Sequence, residues 1–295
     1  MNPIIIPADN DFNSTLTIGT ESFPFQLFQD NLENFDGGFV NWHKQRQVEI
    51  SVLLEGSVKV NVLQKETIVR QGDGFVIMPG CLHAVKPNPP DVGRYFTMIF
   101  DPSFLCGYSG SFFEKSFYAP LRDSDGGFCA IPHDAPWAQP VFKLLHWVAD
   151  HADDDSNAGM LMIQRKIQDA WILLYPRLSS AWEQTVSHPQ NGRIYLMIDY
   201  LHRHYNEKFS LTSLAKELHV SRGECCRFFK KMLQMTLVQY LTEYRITRAV
   251  KLLKETSMNS TEIAQAVGFG STSSFIARFK EKMRVSPMKY KETIS

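Results

Sequence analysis

The chain has 295 residues with 31 basic and 31 acidic side chains, so its formal net charge is zero, and its length allows two domains. Five cysteines without a CxxC pair or a Cys/His cluster exclude a disulfide framework and a zinc finger, and are typical of a cytoplasmic protein. No apolar run approaches the roughly 20 residues of a membrane span, and the first residues lack the features of a signal peptide.

The predicted elements of the first hundred residues are β-strands. Between about residues 12 and 100, short apolar or alternating runs at 49–54, 57–62 and 75–78 are separated by glycines. Many short strands joined by regular turns indicate a sandwich or a small barrel.

The middle of the chain is predicted to change from β structure to helices. Residues 101–133 are rich in glycine and aromatic side chains, so we expect an irregular excursion with a short helix near 112–117. Apolar residues then recur at helical spacing in two segments, at about 136–151 and 158–175. A stretch rich in Ser, Pro, Asn and Gly within 179–192 is typical of an interdomain linker.

The last part of the chain is predicted to be all-helical, with Ser210 and Ser260 as N-caps. The predicted helices cover residues 193–204, 211–218, 222–233, 237–255, 261–267 and 272–283. The predicted fold class is therefore α+β multidomain. It consists of a β-barrel domain with flanking helices at 1–178, a linker at 179–192 and an all-α domain at 193–295.

Two parts of this all-α domain repeat one pattern of helix, tight turn and second helix. Ala215 and Ala264, which are 49 residues apart, occupy matching places in the first helices, and Phe229 and Phe279, 50 residues apart, match in the second helices. Such a repeat predicts two readers of the DNA major groove on one chain. The helix at 237–255 that joins them would be about 28 Å long, so the readers could lie roughly one DNA turn apart.

The turns and buried faces of the two units can also be predicted. Gly268 is expected to take a positive φ in the second turn, whereas His219 stands at the matching place in the first turn and should be mildly strained. Residues four apart share one face of a helix. The predicted buried stripes are Phe275 and Phe279 in the second unit, and Cys225 and Phe229 in the first.

The opposite faces of the two second helices are predicted to meet DNA. From residue 190 onward there are 18 Lys and Arg against 9 Asp and Glu, whereas the first 189 residues hold 13 against 22. Such a basic excess favours DNA through counterion release, although any single position could be plain solvated surface. The predicted base-reading residues are Gly223, Cys226, Arg227, Thr272, Ser273, Ile276 and Ala277. The predicted phosphate contacts are Lys230, Lys231, Arg278 and Lys280.

The second unit carries a family signature. Residues 263–269 read Ile-Ala-Gln-Ala-Val-Gly-Phe, and 278–280 read Arg-Phe-Lys, before a Val-Ser-Pro tail at 285–287. With the pattern of the connecting helix, this closely resembles AraC/XylS-type transcription regulators over about residues 190–293, which implies sequence-specific DNA binding. The family usually has glycine where this chain has Gln234 and Arg284, so the ends of the recognition helices are expected to differ.

The N-terminal half resembles the cupin-like sensor domain of many such regulators. Its first motif runs from Gly37 through His43, Gln45 and Glu49, and the second ends at His83. In metal-binding cupins two His and a Glu of the first motif and a His of the second hold one ion. Here Gln45 replaces one His. The remaining three residues could hold a metal, contact an organic effector or simply be buried, and we predict neither a metal nor a cofactor.

A small barrel can enclose one ligand. The residues predicted to contact the effector are Phe39, Trp42, His43, Gln45, Arg46, Glu49, His83 and Tyr95. By family resemblance the effector is a sugar or related metabolite. The helices near 136–151 and 158–175 either pack on the core alone or also mediate dimerisation, as such helices commonly do in the family.

The leading hypothesis is a ligand-responsive transcription regulator that is not an enzyme. We expect it to activate transcription. Its expected partners are double-stranded promoter DNA, a small-molecule effector, RNA polymerase and a second copy of the chain. The alternative is a metal-dependent cupin enzyme fused to a DNA-binding module, which the missing second His disfavours. A third hypothesis is a DNA-binding adaptor whose barrel binds no ligand.

Overall fold

The computed structural model describes residue 14 and residues 16–35, 38–119, 127–183 and 190–294. It divides into an N-terminal compact unit, within residues 6–33 and 39–188, and a C-terminal compact unit that lies mostly within residues 189–295. Among the described residues, no helix is long and apolar enough to cross a membrane.

The N-terminal unit is built on two antiparallel sheets, with strand orders β1-β8-β3-β6-β9 and β2-β7-β4-β5. The strands are β1 (Phe25–Asn31), β2 (Val40–His43), β3 (Val48–Glu55), β4 (Ser57–Val62), β5 (Lys65–Arg70), β6 (Gly74–Ile77), β7 (His83–Pro87), β8 (Arg94–Phe100) and β9 (Phe128–Ile131). The predicted β-rich domain is thus confirmed.

The described parts of the stretch from 101 to 133, residues 101–119 and 127–133, contain more regular structure than predicted. It contains a short helix α1 (Ser103–Cys106), a π-helical segment (Glu114–Tyr118) close to the predicted helix, and strand β9. Strand β9 pairs with β6 at the edge of the first sheet, so the long-range backbone hydrogen bonds that order it are not visible in local sequence.

Two helices, α2 (Gln139–Asp150) and α3 (Asn157–Glu183), cover one face of the first sheet. Their buried side chains pack with the strand residues that alternate toward them, such as Ile50 and Met98. Helix α3 continues past the predicted end at 175 and contains Pro176. Proline removes a helical hydrogen bond, but apolar packing on the sheet keeps the helix in place.

The C-terminal unit is all-helical, as predicted. Its helices are α4 (Gln190–Arg203), α5 (Leu211–Glu217), α6 (Arg222–Leu233), α7 (Leu237–Glu255), α8 (Ser260–Ala266), α9 (Thr272–Met283) and α10 (Pro287–Ile294). The bounds of α6, α7 and α9 are those predicted. Ser210 caps α5 as predicted, whereas the cap of α8 is Asn259 and not Ser260. Asn259 forms a capping box with Glu262: its side chain accepts from the N–H groups of Thr261 and Glu262, and the Glu262 carboxylate accepts from the Asn259 N–H.

The recognition helices α6 and α9 end in the same way despite their unusual residues. Gln234 (φ 55°, ψ 23°) and Arg284 (φ 62°, ψ −1°) both adopt the left-handed conformation that glycine usually supplies at a helix end. The expectation that the helix ends would differ is therefore wrong. Both helix ends keep the backbone geometry that glycine would give. Gln234 and Arg284 adopt it at an energetic cost, because each has a Cβ atom that disfavours the left-handed conformation.

Candidate functional site

The recognition helices bury one stripe and expose the other. Cys225, Phe229, Phe275 and Phe279 are fully buried, as predicted. Of the residues predicted to contact DNA, all are exposed except Thr272, which is half-buried. The structure therefore leaves these side chains, on both helices, accessible to a partner.

Two acidic residues modify the charge of these exposed faces. Glu224, in the first turn of α6, forms an ion pair with Arg193 of α4, with 2.8 Å between Nη2 and Oε1. The Arg193 guanidinium also lies 4.9 Å from the centre of the Phe228 ring. On α9, Glu281 pairs with Arg278 at 2.7 Å. The negative charge on α6 is thus offset by a neighbouring helix, a role for Arg193 that sequence patterns did not indicate.

The turns that set the two recognition helices are tightly constrained. Gly268 has the positive φ predicted for it (82°), and His219 at the matching place also has a positive φ (53°), in agreement with the strain expected in the first turn. A Cβ on Gly268 would lie 2.6 Å from the carbonyl oxygen of Tyr205. Arg245 of α7 donates to that same oxygen at 2.6 Å, and lies over the Phe269 ring. These contacts of Arg245, which lies on the helix connecting the two units, hold the second turn in place.

In the N-terminal unit, three polar side chains meet between the two sheets. His43 on β2 pairs across the strands with His83 on β7, and Glu49 reaches them from β3 of the other sheet. Their possible ligand atoms lie within 4.8 Å of one another, and all three side chains are buried. The structure therefore brings together the residues that the motif spacing placed in one site.

The hydrogen bonds of this cluster leave it rich in acceptors. Each imidazole Nδ1 lies 2.9 Å from a backbone carbonyl oxygen, that of Asn41 for His43 and that of Cys81 for His83. Because a carbonyl oxygen only accepts, each Nδ1 carries a proton, so in a neutral imidazole Nε2 offers a lone pair. Neither Nε2 has a hydrogen-bond partner among the described residues. Glu49 accepts from Gln45 at 3.2 Å and from Ser51 at 3.1 Å.

The charges of the cluster follow from burial and proximity. Burial, with a smaller contribution from the neighbouring His83, lowers the pKa of His43 to about 3, so His43 is neutral at neutral pH. Burial alone would raise the pKa of Glu49, but His83, His43 and Ser51 together hold it below its ordinary value. The His83 Nε2 lies 3.4 Å from the Glu49 carboxylate. If both the His83 Nε2 and the carboxylate oxygen present lone pairs, they repel each other. A proton or another cation between these two atoms makes the contact favourable.

The cluster fits a metal ion chemically. Two neutral imidazoles and one carboxylate are a common ligand set for divalent transition metals, with positions left open for solvent or substrate. Histidines that bind a metal usually donate their other ring N–H to a carbonyl or carboxylate oxygen, as the two Nδ1 atoms do here, and this orients the ring. His43, Glu49 and His83 would hold the ion, whereas the Gln45 amide is engaged by Glu49.

The other predicted effector residues are distributed around this cluster. Trp42, Gln45 and Tyr95 are buried, Phe39 is half-buried and Arg46 is exposed. The Trp42 Nε1 is buried with no hydrogen-bond partner among the described residues. Gly37, which begins the first motif, lies outside the described residues.

A cavity of about 120 Å³ lies elsewhere, beside α1. It is lined by residues of 101–118 and by none of the predicted effector residues. The predicted effector contacts and this cavity are thus separate features of the unit.

Comparison with known proteins gives matches to both halves. Residues 33–158 match the AraC-like ligand binding domain, and residues 214–293 match a helix-turn-helix domain. The uncharacterized HTH-type transcriptional regulator YdeC of Bacillus subtilis (strain 168) is 25% identical over 275 residues, which is 92% of this chain and 93% of YdeC.

Two further relatives match part of the chain. The melibiose operon regulatory protein of Escherichia coli (strain K12) is 25% identical over 157 residues, which is 53% of this chain and 51% of that protein. The crystal structure of the C-terminal domain of the two-component response regulator yesN from Fusobacterium nucleatum has 30% identity and a TM-score of 0.33. The match covers 34% of this chain and 98% of the yesN domain chain.

Proposed function

Because the chain belongs to the AraC family of transcriptional regulators, we propose that it binds promoter DNA through α6 and α9 and responds to a small molecule held by the N-terminal unit. The observation that carries this proposal is the pair of exposed recognition-helix faces within one helical unit. Sensing is assigned to residues 1–178 and DNA binding to 193–295, with 179–192 as the connection between them.

The two recognition helices are proposed to read DNA differently. On α6, Arg227 is exposed and can donate two hydrogen bonds to the O6 and N7 atoms of a guanine. On α9, Ile276 and Ala277 suit thymine methyl groups, and the hydroxyl groups of Thr272 and Ser273 suit either base edges or the backbone. The lysines of the two helices supply phosphate contacts, whereas Arg278 is partly engaged by Glu281.

The test is a binding titration of the full chain against a genomic site located by footprinting. Arg227→Ala is expected to weaken specific binding by about 1–3 kcal/mol and to relax preference at one base pair. Lys230→Ala should weaken binding to all sequences and reduce the salt dependence. Lys208→Ala, an exposed lysine outside the recognition helices, is the matched control. Binding without salt dependence, or equal losses for Arg227→Ala and Lys208→Ala, would refute this assignment.

The effector is proposed to be a sugar or a related polyol. In the buried cluster of His43, Glu49 and His83, the two imidazole Nε2 atoms have no hydrogen-bond donor among the described residues, and sugar hydroxyl groups are donors. A relative that is named a melibiose operon regulatory protein gives the class some support. Thermal unfolding of the full chain with a panel of sugars should show a stabilising ligand, and His83→Ala should abolish that shift. A shift that survives His83→Ala would place the effector outside the cluster.

Regulation is proposed to be activation, with RNA polymerase as the protein that the DNA-bound regulator contacts and with a second copy of the chain as partner. An effector can shift the regulator only by its differential affinity for the inactive and active states. In-vitro transcription from the footprinted promoter, with and without the effector, measures the direction. Loss of transcript on addition of the liganded protein would show a repressor instead.

The alternative function is a metal-dependent cupin enzyme joined to the DNA-binding unit, and the metal-compatible cluster is the observation that favours it. A bound ion would supply Lewis-acid chemistry at its open positions. Metal analysis of the purified chain distinguishes the two functions, with His43→Ala as the control for occupancy of this site. Stoichiometric metal in the unaltered chain that is lost in His43→Ala would support this alternative.

A further inference from the structure

The loop at residues 204–209, which joins α4 to the first helix-turn-helix unit, lies against the second unit. Its Tyr205 packs on the hydrophobic core that also buries the inner stripe of α9. A Cβ atom on Gly268 would lie 2.6 Å from the Tyr205 carbonyl oxygen and 2.7 Å from the carbonyl carbon of Asn206. The loop that leads into α5 is therefore in direct contact with the turn that sets α9.

One arginine of the connecting helix α7 holds this loop by its backbone. Arg245 donates from Nε to the Tyr205 carbonyl oxygen at 2.6 Å and from Nη2 to the Glu207 carbonyl oxygen at 2.7 Å. Its guanidinium also lies 5.8 Å from the centre of the Phe269 ring in the second turn. A planar guanidinium can bond two carbonyl oxygens at fixed positions, whereas the ammonium group of a lysine is a single donor atom. Arg245 thus joins α7, the loop before the first unit and the turn of the second unit.

Aromatic rings continue this contact into the core of the first unit. Tyr205 packs edge-on against Tyr244 of α7, with ring centres 5.3 Å apart, and Tyr244 stacks on His202 of α4 at 3.7 Å. The His202 Nε2 lies 2.9 Å from the Tyr240 hydroxyl oxygen. The Tyr240 ring in turn packs against Phe229 of the recognition helix α6, with ring centres 5.4 Å apart. A continuous set of contacts therefore runs from α6 to the loop that the second unit holds.

This second attachment matters for a protein that reads DNA with two helices. Linking two binding modules strengthens binding only when both can engage at once. One base pair inserted between two half-sites moves the second by about 3.4 Å and turns it by roughly 35° about the DNA axis. Two units joined through α7 alone could adjust to such a change by moving on that helix. Units that are also held together through the loop could not.

We propose that Arg245 and the 204–209 loop hold the two helix-turn-helix units in one fixed orientation, so that the chain accepts a single separation of its two half-sites on DNA. Arg245 is a positioning residue, because its side chain contacts the loop and the second turn and acts on DNA through the placement of α6 and α9. The proposal rests on the proposed function in supplying the DNA. A chain that binds its footprinted site and tolerates an inserted base pair would overturn the fixed orientation and leave the proposed function intact.

The first test compares binding of the full chain to its footprinted site with and without one base pair inserted between the half-sites. With a fixed orientation the insertion forfeits one half-site, so the penalty should approach the roughly hundredfold or larger gain that linking two binding modules supplies. In Arg245→Ala this penalty should fall by about tenfold, a size usual for coupling between two sites, whereas affinity for a single half-site should stay unchanged. Arg245→Lys keeps the charge but not the pair of hydrogen bonds, so it should behave like Arg245→Ala.

The matched control is Lys251→Ala, which removes one positive charge from an exposed position on the same helix. Lys251 forms only an exposed ion pair with Glu255 at 3.8 Å among the described residues, so this variant should keep the full penalty. A full penalty in Arg245→Ala, or an equal fall in Lys251→Ala, would overturn the proposal. Equal losses of Arg245→Ala on the single half-site and on the complete site would also overturn it, because they would indicate general damage to the fold.

The second test needs no DNA and measures the distance between spin labels on the two recognition helices of the full chain by double electron–electron resonance. One label is attached to Cys226 on α6, which is exposed, and the other to the exposed position of Ala277→Cys on α9; the other cysteines are buried. A fixed orientation predicts one narrow distance distribution, which should broaden when Arg245→Ala is added. A broad distribution before Arg245 is replaced, or an equally narrow one afterwards, would overturn the proposal.

Discussion

The Arg193–Glu224 ion pair leads us to predict that DNA affinity depends on Arg193, a residue outside the recognition helices. Arg193 lies on α4, whereas Glu224 lies in the first turn of the recognition helix α6. Their side chains are 27% and 45% exposed and 2.8 Å apart. In Arg193→Ala, the Glu224 carboxylate keeps its charge but loses the neighbour that offsets it, on the face proposed to approach phosphates.

The magnitude follows from Coulomb's law. A bare carboxylate about 10 Å from one phosphate costs roughly 0.4 kcal/mol at the dielectric constant of water. Two or three phosphates within about one Debye length raise this to about 1 kcal/mol, or roughly a fivefold loss of affinity. Glu224→Gln alone should leave affinity equal or higher, since it removes the charge altogether.

The assay is fluorescence anisotropy with a labelled DNA site at two salt concentrations, on a complete double-mutant cycle. Arg193→Ala should lose about fivefold in affinity, and the double variant R193A/E224Q should recover most of that loss. Circular dichroism and urea unfolding control for the lost contact between Arg193 and the Phe228 ring. The reasoning is refuted if Arg193→Ala binds normally, or if the double variant R193A/E224Q binds as weakly as Arg193→Ala alone.

Three further predictions concern stability and titration. Gly268→Ala should destabilise the chain by about 1–3 kcal/mol in urea unfolding, because its Cβ would meet the Tyr205 carbonyl oxygen at a positive φ; an unchanged midpoint would contradict this. Arg284→Gly should raise stability by up to about 1 kcal/mol, since it relieves a left-handed residue, and a loss would show that the arginine side chain stabilises the helix end. A hydrogen bond from His133 to Asp73 raises the pKa of His133, so NMR titration should show that pKa falling in Asp73→Asn. Because the folded state holds this proton more tightly, the pair stabilises the fold below the ordinary pKa of histidine and stops doing so as pH rises through the raised pKa.

Local signals account for the accuracy of the C-terminal prediction. The bounds of α6, α7 and α9 agree with the sequence because caps such as Ser221 and Thr236 and the apolar spacing act within a few residues. The cap of α8 was misplaced by one residue because Asn259 and Ser260 are both good caps. Only the reciprocal bond with Glu262 distinguishes them.

Long-range contacts explain what local sequence could not supply. Strand β9 is ordered by its pairing with β6, and α3 continues through Pro176 because its inner face is buried on the sheet. Motif resemblance placed His43, Glu49 and His83 in one site. Only the structure showed how the two imidazoles are oriented. Each Nδ1 contacts the backbone carbonyl oxygen of a nearby residue, and each Nε2 is buried with no hydrogen-bond partner among the described residues.

The sequence by itself determined the type of most elements outside residues 101–133, the doubled helix-turn-helix and the division into an acidic and a basic half, because periodicity, capping and charge are local properties of the chain. Only the tertiary structure decided which polar groups remain unsatisfied and which apolar faces remain exposed. Arg193 lies beside Glu224, and Leu161 and Ile172 of α3 remain exposed, because packing brings distant segments together or leaves them apart. Burial and pairing are properties of that packing, and no single segment of the chain contains them.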